Sequence, residues 1–160
     1  MIDQIDQAVA NKIANSLMEP ILLVQEMEGG SGLVPRYATP GAAGLDLYAA
    51  EDATIDGFGM TAIKTGIAVA IPPGYVGMIR GRSGLAFKHS LWAFHGTVDE
   101  DYRGEVKVQI ANPQATDYFV TRGDRIAQML LVPVARLRVE TVDQLPASTR
   151  GSDGFGSTGR

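Results

Sequence analysis

From Ile21 onward the chain is a series of short apolar or alternating runs, separated by turn residues roughly every eight to twelve positions. In Glu105–Ala111, the clearest run, Val106, Val108 and Ile110 would face the same side of a strand. The runs are Ile21–Gln25, Thr61–Ile71, Tyr75–Arg80, Glu105–Ala111, Tyr118–Thr121, Ile126–Val134 and Leu137–Thr141. Strands this short, spaced this closely, predict an all-β barrel or sandwich.

The first 20 residues follow a different, helical pattern and form an N-terminal extension in our interpretation. Apolar residues recur there at three- or four-residue spacing and would share one face of a helix over residues 2–18: Ile2, Ile5, Val9, Ile13 and Leu17. Pro20 ends this pattern. We expect the helix to fold back on its own subunit. A partner-binding helix, a membrane-surface helix and a remnant of cloning are the alternatives.

The opposite end of the chain cannot form a core. Arg150–Arg160 contains four glycines, three hydroxyl side chains, two arginines and a single aromatic residue, Phe155. Glycine weakens helices and strands alike, whereas a permissive backbone with arginines can wrap a phosphate. We therefore predict a barrel domain over residues 21–146 and a flexible lid for a phosphorylated ring compound over residues 147–160. A disordered tail is the alternative.

Bulk properties exclude several classes of protein. The net charge of −4 argues against general nucleic-acid binding, which needs a basic face. There are no cysteines, so thiolate chemistry is excluded. No apolar run approaches the roughly 18 residues of a membrane span. The N-terminus carries acids rather than the basic residues of a signal peptide, so we expect a cytoplasmic protein.

Two acidic features are candidates for chemistry. Asp46 lies inside the otherwise apolar segment Ala42–Tyr48, and a buried carboxylate needs a cation or N–H donors. An arginine partner and a role in a site are equally good explanations. The segment Gly96–Gly104 holds three acids and Tyr102 between two strands. It is either a solvated hairpin tip or the source of a carboxylate that activates water.

Polar residues elsewhere suggest anion binding. Arg82 and Ser83 precede a short predicted helix around Gly84–Lys88, and the N–H groups at the start of a helix attract anions. Gln128 is the single polar residue in Ile126–Leu131, so it must be hydrogen-bonded to the backbone or to a ligand.

Five segments, in this order and spacing, resemble the five motifs of the trimeric dUTP pyrophosphatase (dUTPase) family. They are Ala43–Tyr48, Arg82–Ala86, Gly96–Gly104, Gly123–Met129 and Arg150–Gly159. The resemblance implies a jelly-roll-like β-barrel that assembles as a homotrimer, with active sites at the subunit interfaces. It also implies Mg²⁺-dependent hydrolysis of dUTP to dUMP and pyrophosphate, which limits uracil in DNA and supplies the thymidylate precursor.

The resemblance further implies roles for individual positions. Asp99 would activate the water that attacks the α-phosphorus, and Tyr102 would pack under the deoxyribose. Asp46 would lie near a Mg²⁺ held mainly by the triphosphate, contacting it through water. The uracil edge would be read by the hairpin of Phe94, His95, Gly96, Thr97 and Val98. The other substrate-binding positions are Arg82, Ser83, Gly84 and Gln128, together with Arg150, Phe155, Gly156, Ser157 and Thr158 of the lid.

The chain also departs from the family pattern. Gly81 replaces a usual Pro, Ala93 stands where many bacterial members have an Asn that contacts uracil, and Asp153 replaces a lid Gly. Phe94 and His95 are bulkier than is usual in the uracil hairpin. The rival interpretations are a dCTP deaminase-like enzyme and a non-catalytic nucleotide-binding or regulatory protein on this scaffold. The Gly96–Gly104 segment and the complete lid motif favour a dUTPase.

Overall fold

The computed structural model describes residues 20–152, which form eleven strands and one short helix. The elements are β1 Leu23–Glu26, β2 Arg36–Tyr37, β3 Leu45–Tyr48, β4 Ala53–Ile55, β5 Met60–Ala70, β6 Tyr75–Arg80, α1 Ser83–His89, β7 Trp92–Ala93, β8 Thr97–Val98, β9 Glu105–Ala111, β10 Tyr118–Val120 and β11 Arg125–Pro133. The all-β prediction and the short internal helix are confirmed.

The strands form two larger sheets and a small one, with antiparallel pairing in each. A four-stranded sheet has the order β1-β5-β9-β7, and a five-stranded sheet has the order β2-β3-β11-β6-β8. Strands β4 and β10 form a separate pair. The arrangement, in which consecutive strands cross between sheets, is the jelly-roll-like fold expected from the sequence.

One apolar cluster fills the space between the sheets. Ile63 and Val108 come from the four-stranded sheet, while Leu47, Ile79 and Met129 come from the five-stranded sheet, and all five are almost inaccessible to solvent. In strands such as β6 and β9, alternation sends one face into this cluster and the other outward. The outward face of the five-stranded sheet therefore carries the polar side chains of the candidate site.

The segment after β11 differs from the prediction. Leu137–Thr141 was expected to be a strand, but no strand follows Pro133 within the described residues. Its apolar side chains are exposed, with Leu137 83% and Val139 91% accessible. The sequence pattern is that of a strand, yet the segment pairs with no strand among residues 20–152. The predicted N-terminal helix and residues 153–160 of the predicted lid lie outside the described residues.

Several short strands escaped the prediction, namely β2, β4, β7 and β8, each of two or three residues. Segments this short show too little alternation to be recognised. The helix of the described region is far too short to cross a membrane.

Candidate active site

A cavity of about 430 Å³ lies beside the start of α1 and is lined by Arg82, Ser83, Gln128 and His95. We call it the Arg82 cavity. Arg80 contributes a second guanidinium group, and no carboxylate lines the walls. Two arginines, a hydroxyl, an amide and an imidazole form a set of donors suited to an anion such as a phosphate chain.

Asp46 holds Arg82 in place from below this cavity. Its carboxylate, 9% exposed, lies 3.2 Å from Arg82 Nε and 3.2 Å from Arg125 Nη1. Arg82 also donates from Nη1 to the Arg125 carbonyl at 3.0 Å. The buried carboxylate is therefore compensated by two arginines, one of which, Arg82, lines the cavity. One acid against two arginines leaves this cluster net positive.

Strand register explains why these groups meet. Asp46 on β3 pairs with Gln128 on β11, and Gln128 pairs in turn with Arg80 on β6. Directly paired residues share a face of the sheet, so these side chains form one polar row. The adjacent row of Leu45, Met129 and Ile79 points into the core. Arg80 is a member of the cavity that motif matching missed; its only signal was the end of a strand two residues before Arg82.

Gln128 is fixed by the loop before α1. Its side-chain Nε2 donates to the Gly81 carbonyl at 3.1 Å, so the amide nitrogen is hydrogen-bonded to the backbone. The helix that follows begins at Ser83 with Arg82 as its N-cap and no side-chain cap. The first N–H groups of the helix thus have no side-chain acceptor.

A second cavity, of 310 Å³, contains Asp99 and Tyr102, and we call it the Asp99 cavity. Gly96, Thr97 and Val98 form one wall; the remaining lining residues are Ile79, Glu105, Val106 and Lys107. The cavity combines two acids, a lysine and an aromatic ring with apolar side chains. It suits a sugar or base next to a carboxylate that can accept a proton.

The contacts of the three acids in Gly96–Gly104 distinguish them. Glu100 accepts from the Gly74 N–H at 2.7 Å and pairs with Arg136 at 2.9 Å, so it holds the turn together. Asp101 is exposed and does not line the cavity. Asp99 lines it, and its carboxylate makes no hydrogen bond or ion pair to any residue between positions 20 and 152. Asp99 is the acid of this segment that is open to a ligand.

The ring of Tyr102 is held over the turn. Its hydroxyl donates to the Glu105 carbonyl at 3.1 Å, and its N–H donates to the Asp99 carbonyl at 3.1 Å. A Cβ on Gly104 would overlap the Tyr102 hydroxyl, so the ring crosses the backbone at a place that favours glycine. Tyr102 remains 45% exposed and presents a flat surface beside Asp99.

The β6–β8 strand pair separates the two cavities. Ile79 N–H donates to the Gly96 carbonyl at 2.8 Å, and both residues line the Asp99 cavity. Arg80 follows Ile79 and His95 precedes Gly96 along the chain, and both line the Arg82 cavity instead. Successive residues of a strand point to opposite faces. The two cavities share no lining residue, so Asp99 and Arg82 of one chain line separate cavities.

Other predicted site residues lie outside both cavities. Phe94, 53% exposed, follows β7, and Gly84 is exposed on α1. Arg150 is exposed in the segment after β11. The lid positions Phe155, Gly156, Ser157 and Thr158 lie outside the described residues. Beyond the site, burial raises the pKa of Tyr118, and the nearby charge of Asp124 raises it further.

Comparisons with known proteins agree with this fold. The sequence profile of the dUTPase family matches residues 31–159. The deoxyuridine 5'-triphosphate nucleotidohydrolase of Anaplasma marginale (strain St. Maries) is 47% identical over 141 residues, which cover 85% of this chain and 96% of that protein.

Two solved phage structures are similar as well. The dUTPase of Staphylococcus bacteriophage 80alpha with dUPNHPP has a TM-score of 0.81 at 28% identity, covering 88% of this chain and 99% of that one. The dUTPase of phage phi11 of S. aureus, whose structure reveals the coordination of a structural Mg(II) ion, has a TM-score of 0.73 at 26% identity, covering 78% and 97%. The fold is that of a class of nucleotide-hydrolysing enzymes. The chain is a member of the dUTPase family.

Proposed function

We propose that this chain hydrolyses dUTP to dUMP and pyrophosphate with a water molecule activated by Asp99. The hydrolysis follows from membership in the dUTPase family and from relatives that carry this activity in their names. The observation that supports Asp99 as the base is its position: it lines a cavity beside Tyr102, and its carboxylate is open to a ligand. Asp99 would act mainly by orienting the water for in-line attack.

The Arg82 cavity would hold the triphosphate. Arg82, fixed by Asp46, and the Ser83 hydroxyl supply donors, with Gln128 beside them. A charge-assisted hydrogen bond is about twice as strong as a neutral one, so a fixed guanidinium favours the developing charge on the phosphates. Gly84 would bring the start of α1 close to the phosphates.

The Asp99 cavity would hold the nucleoside. Tyr102 would pack under the deoxyribose and leave no room for a ribose 2′-hydroxyl. The hairpin from Phe94 to Val98 would bond the edge of uracil through its backbone and reject the methyl group of thymine. Apolar walls with a few placed polar groups are typical of such subsites.

The lid residues would complete the site. Arg150, Ser157 and Thr158 would contact the terminal phosphates, with Gly156 allowing close approach, and Phe155 would stack on uracil. Closure of a lid excludes bulk water from the reaction.

Mg²⁺ is the proposed cofactor. Within residues 20–152 no three His, Cys, Asp or Glu side chains cluster as metal ligands. The Asp46 carboxylate is already paired with two arginines. The donor set thus suits a cation held mainly by phosphate oxygens, which Asp46 would meet only through water. Such a cation would neutralise charge on the triphosphate.

We further propose a homotrimer whose sites lie between subunits. The two cavities share no lining residue, so the Asp99 cavity of one copy would meet the Arg82 cavity of another. The exposed arm after β11 supports this assembly, because Leu137, Val139 and Leu145 are 79–91% accessible in the isolated chain. Among residues 20–152, β1 is an edge strand with Leu23 exposed, and such an arm could cover it.

The test is pyrophosphate release by the purified protein with Mg²⁺, comparing dUTP with dCTP, dTTP and UTP. Release from dUTP alone is the expected result. It would assign to the chain a role in limiting uracil in DNA and in supplying dUMP. The simplest setting for this role is the cytoplasm. Absence of release from dUTP would refute the proposal, and ammonia release from dCTP would then identify the deaminase alternative.

A further inference from the structure

Arg80 and His95 form a pair at the wall of the Arg82 cavity. Their strands run antiparallel, with Gly77 opposite Val98 and Met78 opposite Thr97, so the same register sets Arg80 opposite His95. The Arg80 Nη1 lies 2.6 Å from His95 Nδ1. Both side chains line the cavity that holds Arg82, Ser83 and Gln128.

This contact determines which nitrogen of His95 carries the proton. A guanidinium group has only donors, so Nδ1 must accept the hydrogen bond from Arg80. In the neutral ring the proton then resides on Nε2, at the other side of the imidazole. His95 therefore enters the cavity as a donor, held in one tautomer by Arg80.

We propose that His95 donates from Nε2 to the phosphate chain of the substrate and that Arg80 is the positioning residue that fixes its ring. The cavity around the pair contains further donors and no carboxylate, so an anion is the ligand that its chemistry fits. This inference rests on the proposed function, because it adds a phosphate ligand to the same site. It also explains how a bulky residue is accommodated in the hairpin, since His95 turns towards β6.

Two substitutions separate a donor role from a purely structural tie. In His95→Asn the side-chain oxygen can still accept from Arg80, but the donor at the Nε2 position is lost. His95→Gln places an amide donor near the Nε2 position. We expect the KM for dUTP to rise about tenfold in His95→Asn, the effect of one hydrogen bond to a charged group, with kcat unchanged. His95→Gln should stay within about threefold of the unmodified chain.

Direct binding of inorganic pyrophosphate, measured by calorimetry, tests the ligand without relying on turnover. Its Kd should rise in His95→Asn in proportion to KM, whereas the Kd of deoxyuridine should not change. His89→Asn is the matched control, because it removes the other histidine of the chain, which contacts Tyr118 instead. Equal pyrophosphate affinity in the Asn and Gln variants would overturn the donor role.

A double-mutant cycle tests Arg80. If Arg80 acts through His95, Arg80→Met should weaken pyrophosphate binding in the unmodified chain and add less than about twofold in the His95→Asn background. Independent, multiplicative effects would refute positioning. An unmodified chain that binds pyrophosphate in this His95-dependent way but fails to hydrolyse dUTP would refute the proposed function and leave the phosphate site standing.

Discussion

The Arg82 cavity and the Asp99 cavity lie on either side of the β6–β8 pair and differ in chemistry. The first is lined by two arginines and other donors without a carboxylate, whereas the second is lined by two carboxylates, a lysine and an aromatic ring. The first is braced by the Asp46 ion pairs, whereas the Asp99 carboxylate has no partner among residues 20–152. A buried charge must be compensated within the protein, whereas an exposed charge is solvated by water until a ligand binds.

The difference lies in which face of one sheet each group occupies. Side-chain alternation sends Arg80 to one face and Ile79 to the other, so the groups that we propose bind phosphate and activate water are kept apart within a chain.

Asp99→Asn should reduce kcat for dUTP by about a thousandfold, the typical contribution of a general base. The Arg82 cavity is untouched, so nucleotide affinity should remain close to that of the unmodified chain. Steady-state kinetics and calorimetry with dUTP measure the two quantities. Asp101→Asn, in the same turn but outside the cavity, is the control. Turnover of Asp99→Asn at the normal rate would mean that another group activates the water.

Removal of residues 150–160 should reduce kcat/KM by about a hundredfold, because donors to the phosphates and the cover against water are both lost. The barrel core ends well before this segment, so the thermal unfolding midpoint should stay the same. Kinetics and circular dichroism check the two expectations. Full activity in the truncated chain would remove the lid from the mechanism.

Mixing two inactive variants should restore activity if each site joins two chains. Arg82→Ala keeps the Asp99 cavity, and Asp99→Asn keeps the Arg82 cavity. Random trimers of the two variants, formed by coexpression, should regain about a quarter of the normal sites, because half of the subunits supply each intact cavity. Each variant expressed alone is the control. Mixed oligomers, verified by two affinity tags, that stay inactive would place the whole site in one chain.

Gly44→Ala should have the smallest effect. A Cβ at this position would lie 3.0 Å from Gln128 Oε1 and 3.2 Å from Gln128 Cβ, so the amide must move by a few tenths of an ångström. We expect the KM for dUTP to rise about threefold with little change in kcat. Gly41→Ala, where a Cβ would meet no atom within 4 Å, is the matched control. Equal kinetics in the two variants would show that the position of Gln128 is not critical.

Much of the fold was predictable because the alternation of apolar and polar residues can be read within a single segment. Glu105–Ala111 and Tyr75–Arg80 were predicted with the observed bounds, and the short helix was placed within one residue at each end. The strand predicted over Leu137–Thr141 was wrong, because strand propensity depends on the local sequence whereas strand pairing depends on a partner elsewhere. The predicted roles of the site residues, including the lid positions, stay predictions.

The sequence by itself determined the all-β class and, through its five motifs, the family and the residues to consider. It did so because apolar periodicity, and the residue pattern within each motif, can be read from residues close together in the chain. Only the tertiary structure decided that Asp46 is shared by Arg82 and Arg125, that Arg80 meets His95, and that Asp99 lies in a different cavity from Arg82. These facts depend on strand register and on which face of a sheet each side chain occupies, and both are fixed by long-range pairing.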